Sequence, residues 1–111
     1  MAYNIVIGWK TAKKEVLIAL GAGRIEHEQR GSIDVKNRLS TGEVSVADVV
    51  GWLRRAKGAD HQESPHHFID DVTVHIVKVR GWYIKWWIDY PDIEDAGEDV
   101  AVFVSVHPDG D

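Results

Sequence analysis

Val72 to Tyr90 reads VTVHIVKVRGWYIKWWIDY, and this stretch decides the fold. Two alternating runs, Val72–Val79 and Trp82–Tyr90, flank the dipeptide Arg80-Gly81. Alternation at period two marks a strand with unlike faces. Two residues, one of them glycine, suffice for a tight hairpin turn. Such a turn sets Val79 opposite Trp82, and every later pair follows in the same register. Thr73, His75, Val77 and Val79 then share a face with Trp82, Ile84, Trp86 and Ile88. Val72, Val74, Ile76 and Lys78 share the other with Tyr83, Lys85, Trp87 and Asp89. The first face is the more apolar and is expected to pack on helices. The second carries Tyr83, Lys85 and Trp87 and is expected to be partly open.

Downstream, the acidic loop Pro91–Asp99 leads to a third expected strand, Val100–His107. Upstream, Ser45 and Asp48 read as a capping box, with Asp in place of the usual Glu. Val46, Val49, Val50 and Leu53 follow at helical spacing. Arg54, Arg55 and Lys57 suit the negative end of that helix, and Gly58 is read as its stop. An earlier helix is expected from a Thr11 cap to about Leu20, with Val16, Leu17 and Leu20 buried and Gly21 ending it. Ser32 can cap a short helix over Ile33–Leu39. Residues 21–31 and 59–65 show no clear pattern and read as connections. Tyr3–Ile7 is an edge strand or an anchored tail. The expected architecture is α+β, a single domain over residues 1–111. N-terminal helices pack on one face of a C-terminal antiparallel sheet of about three strands.

The chain has 111 residues, enough for one core. No apolar run approaches the roughly 20 residues of a membrane helix, so no membrane partner is expected. The chain contains no cysteine, which removes disulfides and thiolate chemistry. With no secretory pattern at the N-terminus, a cytoplasmic location is expected. The net charge of −5 conceals an asymmetry: residues 1–58 carry ten Lys/Arg against six Asp/Glu, and residues 59–111 carry three against twelve. Halves of opposite sign present unlike surfaces to partners, or serve as solvated faces.

The helix SVADVVGWL, the segment HHFIDDV, the strand GWYIKW and the terminal VFVSVH occur in an order that resembles small toxin ribonucleases. The likeness spans about residues 45–107. It is to the RelE-like fold, and in particular to the motility quorum-sensing regulator toxins. The resemblance implies metal-independent cleavage of messenger RNA by tyrosine and basic side chains around a sheet. It assigns the strand tyrosine to Tyr83, the lysine two residues on to Lys85, and the basic residue after the last strand's serine to His107. Two family positions, a helix lysine and a glutamine before the hairpin, fall near Gly51 and Asp70. Those departures, and the acidic second half, also fit a degenerate relative of such an enzyme.

Cleavage of RNA through its own 2′-hydroxyl needs a base, an acid and a cation beside the developing phosphorane. Tyr83, Lys85 and His107 are the candidate catalytic residues, because histidine titrates near neutrality and lysine holds phosphate. Arg54, Arg55 and Arg80 are candidate RNA contacts. The bland alternative is that Tyr83 and Lys85 are half-exposed strand residues and His107 lies in a tail. Trp87 beside Lys85 is a candidate interface residue. His61, His66 and His67, with Asp70 or Asp71, lack the regular spacing of a metal site, so no metal or cofactor is expected. His67 is read as a strand-start residue with its ring bonded to backbone, and His75 as a satisfied core histidine opposite Trp86. Partners are RNA or a protein, an antitoxin or a basic nucleic-acid-binding protein. The alternative function is a non-catalytic acidic inhibitor of antitoxin, immunity or anti-defence type, seated in a basic site. A homodimer through the aromatic strand is a third arrangement.

Overall fold

Arg80 and Gly81 both take positive φ, 52° and 81°, as a type I′ turn requires. The strands on either side pair in the register expected, from Val79 opposite Trp82 to Val74 opposite Trp87. The computed structural model of the chain describes residues 7–28, 36–91 and 97–110. In chain order the elements are α1 (Trp9–Ala22), β1 (Ile25–His27), α2 (Arg38–Thr41), α3 (Val46–Arg55), a 3₁₀ turn (Gly58–Asp60), β2 (His61–Pro65), β3 (Thr73–Val79), β4 (Trp82–Asp89) and β5 (Val100–Pro108).

The architecture is α+β, with one sheet of five strands in the order β1-β5-β4-β3-β2. The expected sheet of about three strands is therefore too small. Both missing strands sit at edges and fall in segments read as connections. β1 is three residues long and pairs parallel to β5, so the sheet is mixed rather than antiparallel. β2, HQESP, carries no apolar alternation because it is an edge strand held by backbone pairing to β3. Neither strand has the side-chain pattern that a period-two reading detects.

α3 forms as its caps dictate. Ser45 Oγ accepts from the Asp48 amide at 3.1 Å, and the Asp48 carboxylate accepts from the Ser45 amide at 3.1 Å. The helix ends at Arg55 with Ala56 as its cap, and Gly58 instead opens the 3₁₀ turn. α1 starts earlier than expected, after Gly8, and runs through Gly21 to Gly23, whose left-handed φ of 72° closes it. The short second helix is displaced. Its first turn is Arg38–Thr41, and the Asn37 side chain, not Ser32, caps it by accepting from the Ser40 amide. Residues 33–35 of that expected helix, and residues 3–6 of the N-terminal run, lie outside the described residues.

One apolar cluster unites the helices with one parity of the sheet. Val16, Ala19 and Leu20 of α1 and Val49 and Leu53 of α3 join Val77, Ile84, Trp86, Ile88, Ala101, Phe103 and Val106. Trp86 and Phe103 are its largest fully buried side chains, each removing a large apolar area from water. Across this core runs a file of rings. Trp9 lies 4.9 Å from His61, His61 5.2 Å from His75, and His75 5.5 Å from Trp86. The Trp9 indole N–H donates to the Ala56 carbonyl, which ties the start of α1 to the end of α3.

Candidate functional site

A single irregularity decides which side chains gather on the opposite face. Lys85 pairs with Ser105, but the next residue, Trp86, pairs with Phe103, so Val104 is an extra residue in β5. Strict alternation from Phe103 would send residues 105 and 107 to the core side. The bulge flips that parity. Ser105 therefore lies opposite Lys85 and His107 opposite Tyr83, on the outer face. The Tyr83 and His107 rings stack at 4.9 Å with 15° between their planes.

His107 Nδ1 lies 2.8 Å from the Pro108 carbonyl. A carbonyl only accepts, so Nδ1 carries a proton, and in the neutral ring the lone pair is on Nε2. Lys78, the register partner of Tyr83, places its ammonium 6.0 Å from the centre of that ring, within cation–π range. Residues 59–111 contain only three cations, Lys78, Arg80 and Lys85. All three fall at the turn end of the β3–β4 hairpin, two on this face and one in the turn. The hairpin register puts Lys78 on this face, and its charge opposite Tyr83 is the sequence feature that marks it as part of the site.

Arg54 and Arg55 are exposed in the last turn of α3, where the Arg55 guanidinium returns to the Gly51 carbonyl at 3.1 Å. Among the described residues no hydrogen bond, ion pair or ring contact links them to Tyr83 or His107. The buried residues of α3 share the core with Ile84 and Trp86, of opposite parity to Tyr83 and Lys85. Trp87 lies on the outer face between its register partners Val74 and Val102, both buried.

The histidines of the expected loop separate. His61 belongs to β2 on the core side, where its Nε2 is 2.9 Å from His75 Nδ1. His75 is fully buried, and that burial, with His61 beside it, pushes its pKa down from 6.5 to about 4. Burial lowers His61 too, against the pull of Glu63. His75 is satisfied at one nitrogen only, because Nε2 has no hydrogen-bond partner. The ring bonded to backbone is that of His66, not His67, which is exposed. His66 Nδ1 accepts from the Phe68 and Ile69 amides at 3.0 and 3.1 Å. Its Nε2 must then hold the proton and donate to Glu28 Oε1 at 2.6 Å. Among the described residues, no group of three or more His, Asp or Glu side chains is arranged to hold a metal ion.

The His66–Glu28 bond also shapes the sheet. β1 and β2 are its opposite edges, held about 19 Å apart in a flat sheet by four spacings of about 4.8 Å. Glu28 is one residue beyond β1 and His66 one beyond β2, and two side chains cannot span that distance. The edges therefore curl toward each other over Trp87, whose ring meets His66 edge-on at 5.7 Å. No family model, no curated protein and no solved structure matches this chain.

Proposed function

We propose that the chain is a metal-independent endoribonuclease of the RelE-like kind, or a catalytically weakened relative. In this reading the helices cover one face of the sheet, and RNA lies on the other, near the hairpin turn. The stacked Tyr83–His107 pair among Lys78, Arg80 and Lys85 carries the proposal. His107 Nε2, with its lone pair available, takes the proton of the 2′-hydroxyl. The 2′-oxygen attacks phosphorus, the bond to the 5′-oxygen breaks, and Tyr83 protonates that leaving oxygen. The products are a 2′,3′-cyclic phosphate and a 5′-hydroxyl. Lys85 and Lys78 stabilise the charge that builds on the non-bridging oxygens. Arg80 holds a neighbouring phosphate. Arg54 and Arg55 contribute at most to general attraction, because they sit on the last turn of the helix layer.

The test is incubation of purified protein with long single-stranded RNA in chelator. Cleavage that ends in cyclic phosphate and is lost in Tyr83→Phe and His107→Ala supports the reading. RNA left intact at micromolar protein, or cleavage unchanged in both variants, overturns it.

A second reading, an acidic inhibitor seated on a basic protein, is favoured by the turn after β2. Phe68 is 87% exposed and Ile69 40% exposed, next to exposed Asp70 and Asp71. His66 fixes their backbone, so this apolar tip is preorganised. Phe68→Asp abolishing binding to a purified basic partner, with RNA cleavage absent throughout, would select this reading.

A further inference from the structure

Cations crowd where the first turns of α1 meet the end of α3. The Lys13 ammonium donates to the Arg54 and Ala56 carbonyls at 2.8 and 3.2 Å, and the Trp9 indole N–H shares that Ala56 carbonyl at 3.1 Å. Lys10 and Lys14 flank Lys13 on α1, and Arg55 and Lys57 flank Ala56. Six of the ten Lys/Arg of residues 1–58 therefore gather at one junction. Lys10, Lys14, Arg54, Arg55 and Lys57 are all exposed.

Two of the six serve the end of α3. Lys13 and the Arg55 guanidinium donate to its backbone carbonyls, where cations suit the helix dipole. Lys10, Lys14, Arg54 and Lys57 make no ion pair or side-chain hydrogen bond among the described residues. On α1 the placement works against the helix. Lys10 and Lys14 are like charges one turn apart, set at the positive end of the macrodipole, and the first turn holds no acid. The acids of these segments are engaged with other groups. Glu63 accepts from the Ile7 and Gly8 amides at 3.0 and 3.2 Å, Glu15 from the Tyr90 hydroxyl, and Asp60 from the Lys57 amide at 2.8 Å.

We infer that this junction binds a nucleic-acid strand by its phosphates, without reading its bases. Lys and Arg that lack protein partners neutralise phosphates and release their counterions. An acidic protein suits the surface less well. Protein interfaces are poor in Lys at their centres and rest on large apolar anchors. Ile18, the exposed large apolar residue of α1, lies a full turn beyond Lys14, at the margin of the patch. Both helices share the core with Ile84 and Trp86, of opposite parity to Tyr83. The patch and the Tyr83–His107 stack thus lie on different faces, and the inference stands whether or not RNA is cleaved at that stack.

The probe is a fluorescein-labelled oligothymidylate of about 20 nucleotides, long enough to cover a single-domain site. It has no 2′-hydroxyl to attack its own phosphates, so binding is read apart from cleavage. Fluorescence anisotropy with the full chain is expected to show binding at low salt. Four phosphate contacts give a slope of log affinity against log salt of about −3, at about 0.7 per contact. The triple variant Lys14→Gln, Arg54→Gln and Lys57→Gln is expected to bind about tenfold more weakly or worse, with a slope near about −1. Lys78→Gln with Lys85→Gln leaves the titration unchanged. No binding at about 50 mM salt, where such contacts are strong, overturns the inference. So does an unchanged affinity and slope in the triple variant with intact circular dichroism, or a loss confined to the Lys78 and Lys85 variant. Polyglutamate of matched length that competes as strongly as unlabelled oligothymidylate would assign the surface to an acidic protein instead.

Discussion

The two ends of the β3–β4 hairpin are built from the same alternating strands and have opposite characters. At the turn end, Lys78, Arg80 and Lys85 share the hairpin with the Tyr83–His107 stack, the Lys78 ammonium 6.0 Å from the Tyr83 ring. At the open end, Asp71 and Asp89 border a cavity walled by Trp87 and Tyr90. On β4 the outward residues run Tyr83, Lys85, Trp87, Asp89, two apart in sequence. One strand face thus passes from cationic to anionic over about 20 Å, at roughly 3.3 Å per residue. A net charge summed over residues 59–111 hides this gradient entirely. Local potential, not the total, decides which ligand each end attracts.

The sharpest way to break the comparison is to remove the base at the turn end. His107→Ala is expected to lower RNA cleavage about 10²–10⁴-fold, the usual contribution of a general base, with the circular dichroism of the fold unchanged. The next largest effect concerns the ring file behind the open end. His75 has a folded pKa of about 4 against 6.5, so the unfolded chain binds its proton first. That contribution is harmless above pH 6.5 and costs stability as pH falls toward 4, by about 3 kcal/mol in total. Urea unfolding across that range checks it, and His75→Gln should flatten the fall relative to wild type.

Smaller effects test what separates the ends. Glu28→Gln weakens the His66 bond that curls the sheet over Trp87, at an expected cost of about 1–3 kcal/mol for a buried charge-assisted bond. Hydrogen exchange should then quicken at the Phe68 and Ile69 amides while the turn-end amides stay protected. The smallest change is Arg80→Asn. Arginine at a φ of 52° is strained, and asparagine tolerates that region, so the hairpin gains about 1 kcal/mol. The thermal midpoint should rise while RNA affinity falls, because the turn end loses one of its cations.

The central hairpin was legible because its side chains alternate and its turn is two residues long. α3 was legible because Ser45 and Asp48 form a reciprocal cap that acts within one turn of chain. The edge strands were not, since backbone pairing holds β1 and β2 and their side chains need not alternate. Asn37 escaped notice for a related reason. It caps α2, yet its amide also donates to His27 Nδ1 at 3.1 Å, a partner that only the fold supplies. The cavity was equally invisible, because Ile7, Asp71 and Tyr90 come together from three separate parts of the chain.

What the sequence determined by itself is the set of local commitments: the α+β class, the capped α3, and the register and two faces of the β3–β4 hairpin. These follow from periodicity, capping and turn chemistry acting over a few residues. The tertiary structure decided what meets what. The bulge at Val104 brought His107 to Tyr83, against the alternation of its own strand. The edge-to-edge bond of His66 and Glu28 set the curvature, and the early end of β3–β4 pairing opened the cavity. Each depends on pairing between distant segments, which one-dimensional patterns do not encode.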